Sequence, residues 1–147
     1  MLKVDPVILE NIPQREPFLF IEGIADRTEN SITTTKKLTG EEDFFRGHFP
    51  GRPVFPGVLM CEAVFQTGAL LMALKGQGAG NSKTAVVSRI QSTKFKNIAR
   101  PGDTLNITVD FVESLANAAF MKGKITADGK TIMTIEFAAT LVDNGDV

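Results

Sequence analysis

Between Gly57 and Leu74 the chain reads GVLMCEAVFQTGALLMAL. No other stretch limits the fold as strongly. Pro56-Gly57 is a helix-opening pair, and Lys75-Gly76 is a closing one. The apolar residues fall on every side of the intervening helix, so it must be covered all round rather than along one stripe. At 1.5 Å per residue the rod is about 27 Å long. Glu62, Gln66, Thr67 and Gly68 interrupt it, and it falls short of the ~20 apolar residues of a membrane span. A soluble chain must therefore wrap it.

The rest of the sequence supplies the wrapping. Asp5-Pro6 predicts a short first helix that stops before Pro13. Phe18 to Ile24 reads as a buried strand, and Ser31 to Thr39 as a Thr-rich strand. In Asp103 to Glu113 the residues Leu105, Ile107, Val109 and Phe111 alternate with polar ones. Met133, Ile135, Phe137, Ala139 and Leu141 repeat the pattern in Thr131 to Val142. Asp128-Gly129 is a hairpin signal, and Gly76 to Lys83 reads as a flexible connection. The expectation is an α+β domain: one long central helix in a curved antiparallel sheet of about six strands, the last four joined by short turns. One sheet cannot enclose such a helix, so a second copy of the chain completes the burial.

Composition narrows the function. The 147 residues carry a net charge of −1, with 22% charged and 43% apolar residues. No basic surplus exists for nucleic acid. The one cysteine, Cys61, permits no intrachain disulfide and reads as a packing residue. The opening MLKVDPVILENIPQ is too polar for the apolar core of a secretory signal. The expectation is a cytoplasmic chain of one domain, 1–147. One His and one Cys without a ligand cluster point to no metal site, and no motif suggests a serine nucleophile. Asp103 in RPGDTL reads as a turn former.

Three residues stand out. His48 is the only histidine, and Gly47, Pro50, Gly51, Pro53, Pro56 and Gly57 restrict or shape the backbone around it. It is either an ordinary structural histidine or a preorganised functional one. Glu62 interrupts the apolar rod, with Gln66 one turn on along the same face. It either faces solvent through a gap or is a carboxyl group with a raised pKa that can give up a proton. Gly57 is a plain helix start, or else a backbone N–H aimed at a polarised carbonyl oxygen. Arg46 and Arg52 flank His48, while Lys94, Lys96 and Arg100 form a basic patch. Such charges are usually just solvated, or they steer an acidic partner.

The segment FFRGHFPGRPVFPGVLMCEA resembles the (3R)-hydroxyacyl-[acyl-carrier-protein] dehydratases of fatty acid synthesis. It carries G-H-F-P-G-x-P-V-x-P-G-V-L and a Glu five positions after the last P-G glycine. ILENIPQREPFLFIEGI and TKFKNIARPGDTL extend the likeness over nearly the whole chain. The resemblance implies the hot-dog fold, dimers and commonly a trimer of dimers, and no cofactor or metal. It implies that His48 is the base and Glu62 the acid, from different subunits, and that the Gly57 N–H binds the thioester carbonyl. A related isomerising branch carries Asp where Glu62 stands, so Glu favours plain dehydration. The acyl tunnel is expected to involve Phe49, Val54, Phe55, Gln66 and Arg89, and an acidic acyl carrier protein to dock on Arg46, Lys94, Lys96 and Arg100. The usual P-H-R-[YF]-P-F-L of the family reads Pro13-Gln14-Arg15-Glu16-Pro17-Phe18-Leu19 here, and the usual F-A-G-I-D reads Val87-Ser88-Arg89-Ile90-Gln91, so that Arg89 replaces a usual Gly. Two alternatives stay open: a hot-dog thioesterase and a non-catalytic acyl-thioester binding paralogue.

Overall fold

The computed structural model describes residues 3–77 and 82–147. Helix α1 covers Pro6–Asn11, and Asp5 caps it by accepting the Val7 N–H at 2.9 Å. Strands β1 (Gly23–Arg27) and β2 (Ser31–Lys37) follow, then a 3-10 turn at Asp43–Arg46. Helix α2 runs Gly57–Leu74. Strands β3 (Lys83–Phe95), β4 (Thr104–Leu115), β5 (Ala118–Ala127) and β6 (Lys130–Asp143) complete one antiparallel sheet in the order β1-β2-β4-β5-β6-β3. One long helix against a six-stranded antiparallel sheet is the hot-dog arrangement.

The alternating patterns decide which face of the sheet meets α2. Leu105, Ile107 and Val109 of β4 and Met133, Ile135 and Phe137 of β6 are buried. Helix and sheet approach closely where a side chain is missing. A Cβ on Gly68 of α2 would lie 2.8 Å from the Phe137 ring, and one on Gly123 of β5 would overlap Val64 Cγ1. Asp128 and Gly129 both have positive φ, 51° and 75°. They join β5 to β6 as the dipeptide predicts.

The structure corrects the sequence reading in three places. Residues Leu19 to Ile21 are buried but form no strand; β1 begins only at Gly23. Only the last three strands are joined by tight turns. β3 leaves by a longer connection and pairs with β6 at the far edge of the sheet. Helix α2, with 18 residues and a mean hydropathy of 1.6, is apolar enough by composition to cross a membrane. Its own sheet packs on it instead, burying Met60, Ala63, Val64, Gly68, Leu70 and Leu71. That cover is one-sided: Val58 is 76% exposed, and Cys61, Glu62 and Phe65 are half-buried. The expected connection from Gly76 to Lys83 lies largely outside the described residues.

Candidate active site

The loop between β2 and α2 is built to hold one imidazole. Pro50 and Gly51 are the central residues of a tight turn, closed by the Arg52 N–H on the Phe49 carbonyl at 2.8 Å. Proline sets φ at the first position, and Gly51, with φ of 76°, supplies the left-handed second position of a type II turn. Beyond the turn, the Val54 N–H donates to the His48 carbonyl at 2.8 Å, and His48 Nδ1 meets the Val54 carbonyl at 2.9 Å. A carbonyl oxygen only accepts, so Nδ1 carries the proton. In the neutral ring Nε2 is then left with its lone pair. The ring also stacks on Phe49, with centroids 4.2 Å apart.

The loop is tied at both ends. The Phe55 N–H donates to the Ala99 carbonyl at 2.8 Å, which fixes it to the β3–β4 connection. Upstream, the Glu42 carboxylate accepts the N–H groups of Thr39 and Gly40 and pairs with buried Lys36 at 3.4 Å. Burial works against the Glu42 charge. The two N–H donors and Lys36 outweigh it, so its carboxyl is held below the ordinary value.

Helix α2 begins where the loop ends. The N–H groups of Leu59 and Met60 both reach the Pro56 carbonyl at 3.0 Å. Those of Gly57 and Val58 have no carbonyl inside the helix and form its positive end. Phe95 lies over this spot: a Cβ on Gly57 would stand 3.0 Å from its ring. A side chain here would crowd the phenyl group, which would have to give way by a few tenths of an ångström.

Glu62 lies in the second turn of α2. Burial pushes its carboxyl pKa up, and a hydrogen bond donated by Gln66 Nε2 at 3.0 Å opposes this only in part. The balance favours the protonated acid beyond the usual carboxylate range. Gln66 itself is fully buried and completely engaged. Its Nε2 also donates to the Phe18 carbonyl, and its Oε1 accepts the Phe20 N–H, both at 2.9 Å. This amide takes the place of a strand neighbour for Phe18 to Phe20. That is how Leu19 and Phe20 stay buried without belonging to the sheet.

One chain brings His48, Val54 and the start of α2 together, but it makes no hydrogen bond or ion pair between His48 and Glu62. A cavity of about 580 Å³ lies between the loop after β2 and the β3–β4 connection, with apolar walls from Phe49, Pro53, Val54, Ile98 and Pro101, and with Arg52 and Arg100; His48 itself does not line it. Of the expected tunnel residues, Phe49 and Val54 line this cavity. Phe55 is instead a core residue, its ring 5.2 Å from that of Phe44, and Gln66 is the clamp just described. Arg89 is exposed on the edge strand. Of the basic residues, Arg46 is paired with Asp43 at 3.1 Å. Lys94, Lys96 and Arg100 are exposed and form no ion pair among the described residues. Sequence reasoning missed the cover of Phe95 on Gly57 and the role of Ile98 and Pro101, whose only signal was their place just before and within the RPGDTL turn. Among the described residues, no three His, Cys, Asp or Glu side chains cluster as metal ligands.

A histidine-bearing hairpin feeding a long helix, inside a six-stranded antiparallel sheet, defines a hot-dog protein of the dehydratase type. The chain belongs to the FabA-like family, whose domain model matches residues 12–136. It is 38% identical over 139 residues to the 3-hydroxyacyl-[acyl-carrier-protein] dehydratase FabZ of Caulobacter vibrioides, covering 94% of this chain and 87% of that one. It is 37% identical to the enzyme of the same name from Rickettsia bellii, over 92% of this chain and 94% of that one. Among solved structures it resembles the dehydratase heterocomplex ApeI:P from Xenorhabdus doucetiae. The TM-score is 0.80 at 11% identity, covering 94% of this chain and 92% of that one. A Streptococcus pneumoniae protein solved with coenzyme A and described as a hypothetical thioesterase shares the fold, with a TM-score of 0.64 at 15% identity over 82% and 84% of the two chains.

Proposed function

We propose that this protein is a cytoplasmic hydro-lyase that removes water from (3R)-hydroxyacyl thioesters on acyl carrier protein and gives trans-2-enoyl thioesters for fatty acid synthesis. The observation that carries the reading is the bond from His48 Nδ1 to the Val54 carbonyl, which leaves Nε2 free as a base. Nε2 takes the α-proton, and the electrons of the C–H bond pass into the thioester as an enolate-like oxyanion. The Gly57 N–H, at the positive end of α2, receives that oxygen. The electrons then return to form the Cα–Cβ double bond, and the β-hydroxyl leaves with a proton from Glu62 as water. The imidazolium passes its proton back toward Glu62 through solvent, which restores both groups. General acid and general base each contribute roughly 10²–10⁴-fold.

Two observations support a site completed by a second copy of the chain. Helix α2 keeps a half-buried face that includes Glu62, and β3 is a long sheet edge carrying exposed Val86 and Ile90. Pairing two β3 edges covers both features. His48 of one protomer then works with Glu62 of the other in a homodimer, the unit of a trimer of dimers. Carrier docking falls to Lys94, Lys96 and Arg100, with Arg46 weakened by its pairing with Asp43.

The test is incubation with a series of 3-hydroxyacyl carrier thioesters, with products weighed by mass spectrometry. A product lighter by one water is expected. Release of the free carrier thiol points to hydrolysis and overturns the reading, as does ligand binding with no change of mass.

A further inference from the structure

Strand β2 carries a charge on its buried face. Ile32, Thr34 and Lys36 share one side of the strand and are all buried, and the Thr34 hydroxyl meets that of Thr67 on α2 at 2.8 Å. An ammonium group on that side is costly unless it is paired, and an apolar residue of similar size would fill the place without the penalty. Lys36 pairs with Glu42 at 3.4 Å and stands 4.0 Å from Glu22. The dehydration steps make no use of this lysine. Its partner lies on the loop that carries His48. Both ends of that loop are rooted in the β3–β4 connection. Leu38 donates to the Asp103 carbonyl at 2.9 Å and accepts from the Gly102 N–H at 2.7 Å, and the Phe55 N–H reaches Ala99. Between those roots, among the described residues, the pair of Lys36 with Glu42 is the only hydrogen bond or ion pair that joins residues 39–54 to the rest of the chain.

We infer that Lys36 is a positioning residue for the dehydration: through Glu42 it tethers the loop and so holds His48 where Nε2 meets the α-proton. This deepens the proposed function and rests on it for the role of His48. Glu42 is suited to pass the constraint on. Its carboxylate gathers the Thr39 and Gly40 N–H groups and the Thr39 hydroxyl, and its carbonyl accepts the Phe45 N–H at 3.1 Å, which starts the 3-10 turn. In that turn the Phe44 ring packs on Phe55 at 5.2 Å, so the limb before His48 is set against the limb after it. Reacting atoms must stand about 3–3.5 Å apart, and a misplacement of about 1 Å can cost ~10²-fold in rate. A loosened loop that still visits the right place loses less, about tenfold.

The test uses the full-length protein with a 3-hydroxyacyl thioester. Lys36→Met alone leaves the Glu42 charge buried without its cation and is expected to lower stability as well as rate. The double variant Lys36→Met/Glu42→Gln removes both charges, so its melting temperature returns toward the parent's while the tether stays cut. Its kcat is expected to fall about tenfold, with KM within about twofold of the parent's. Proton NMR reads the loop itself. The His48 Nδ1 proton, held by the Val54 carbonyl, exchanges slowly with water in the parent and faster in the folded double variant. A folded double variant with the parent's kcat overturns the inference, and so does one whose Nδ1 proton exchanges as in the parent. If the parent itself releases no water from the thioester, the dehydratase reading falls, and faster Nδ1 exchange in the variant still upholds the tether.

Discussion

Replacing Gln66 by Leu tests whether one buried amide holds the acid and the Phe18–Phe20 segment in place. The shapes are similar, but Leu offers no polar atom. Three hydrogen bonds vanish: to the Phe20 N–H, the Phe18 carbonyl and Glu62. The backbone groups cannot be removed with them, so they are left without partners. Phe20 is 3% exposed, and its orphaned N–H bears the full desolvation cost of ~1–3 kcal/mol. Phe18 is 48% exposed, and water relieves its carbonyl, so ~0.5–1.5 kcal/mol is appropriate there. The better burial of Leu offsets part of the sum and leaves a loss of about 1–3 kcal/mol. With a urea slope of ~2 kcal/mol per molar, the midpoint falls by about 0.5–1.5 M at fixed protomer concentration. Hydrogen exchange locates the damage: the Phe20 amide loses protection, while amides in β5 and β6 keep theirs below the new global limit. An unchanged midpoint, or a Phe20 amide as protected as before, refutes the clamp.

Three further outcomes follow from the same geometry. Glu62→Gln stabilises the fold near neutral pH. The Glu62 pKa is raised in the folded state, so ionising it above its unfolded value costs stability that Gln does not lose. The gain in melting temperature shrinks to nothing as the pH falls below the unfolded pKa of ~4.3, and a gain that grows on acidification contradicts the assignment. Gly123→Ala collides with Val64 and comes within 3.1 Å of Ile135 Cγ2. It costs ~1–3 kcal/mol in urea titrations, and adding Val64→Ala recovers part of the loss. Refolding inactive His48→Ala together with inactive Glu62→Gln restores about a quarter of parental activity when each site draws one group from each protomer, because half the dimers are mixed and each has one intact site. Mixed dimers with no recovered activity place both groups in one chain.

Most of this fold is legible from period and punctuation. The two-residue alternation in β4 and β6, the Asp128-Gly129 turn and the Pro56-Gly57 helix start all act locally, and the structure has each where the sequence puts it. Misreadings occur where a distant partner decides. Phe18 to Ile24 has the apolar run of a strand, but its Phe20 N–H and Phe18 carbonyl are taken by a side chain about 46 positions away. No local pattern announces that. β3 breaks the expected series of short turns because its destination, the far side of β6, is not written in its own residues. Arg89 is a family departure visible in sequence, yet its exposure follows only from that edge position. For the site, the hairpin chemistry around His48 was readable, whereas the placing of Arg52 and Arg100 on one cavity depends on the Phe55–Ala99 hydrogen bond that brings two loops together.

The position of β3 also sets a timetable for synthesis. Among the described residues its only strand partner is β6, from Lys83 opposite Asp143 to Phe95 opposite Met133. At ~5–20 residues per second a ribosome needs about 3–12 s to travel from the first of those residues to its mate. Throughout that interval β3 is a nascent strand with neither edge satisfied, and Val86 and Ile90 have no sheet behind them. Such segments are what holding chaperones bind and what neighbouring chains on one message capture by mistake. Lys83, Arg89 and Lys94 along it are charges of the kind that discourage such capture. The strand exposed to its siblings during synthesis is thus still an unpaired sheet edge among the described residues once the fold is complete.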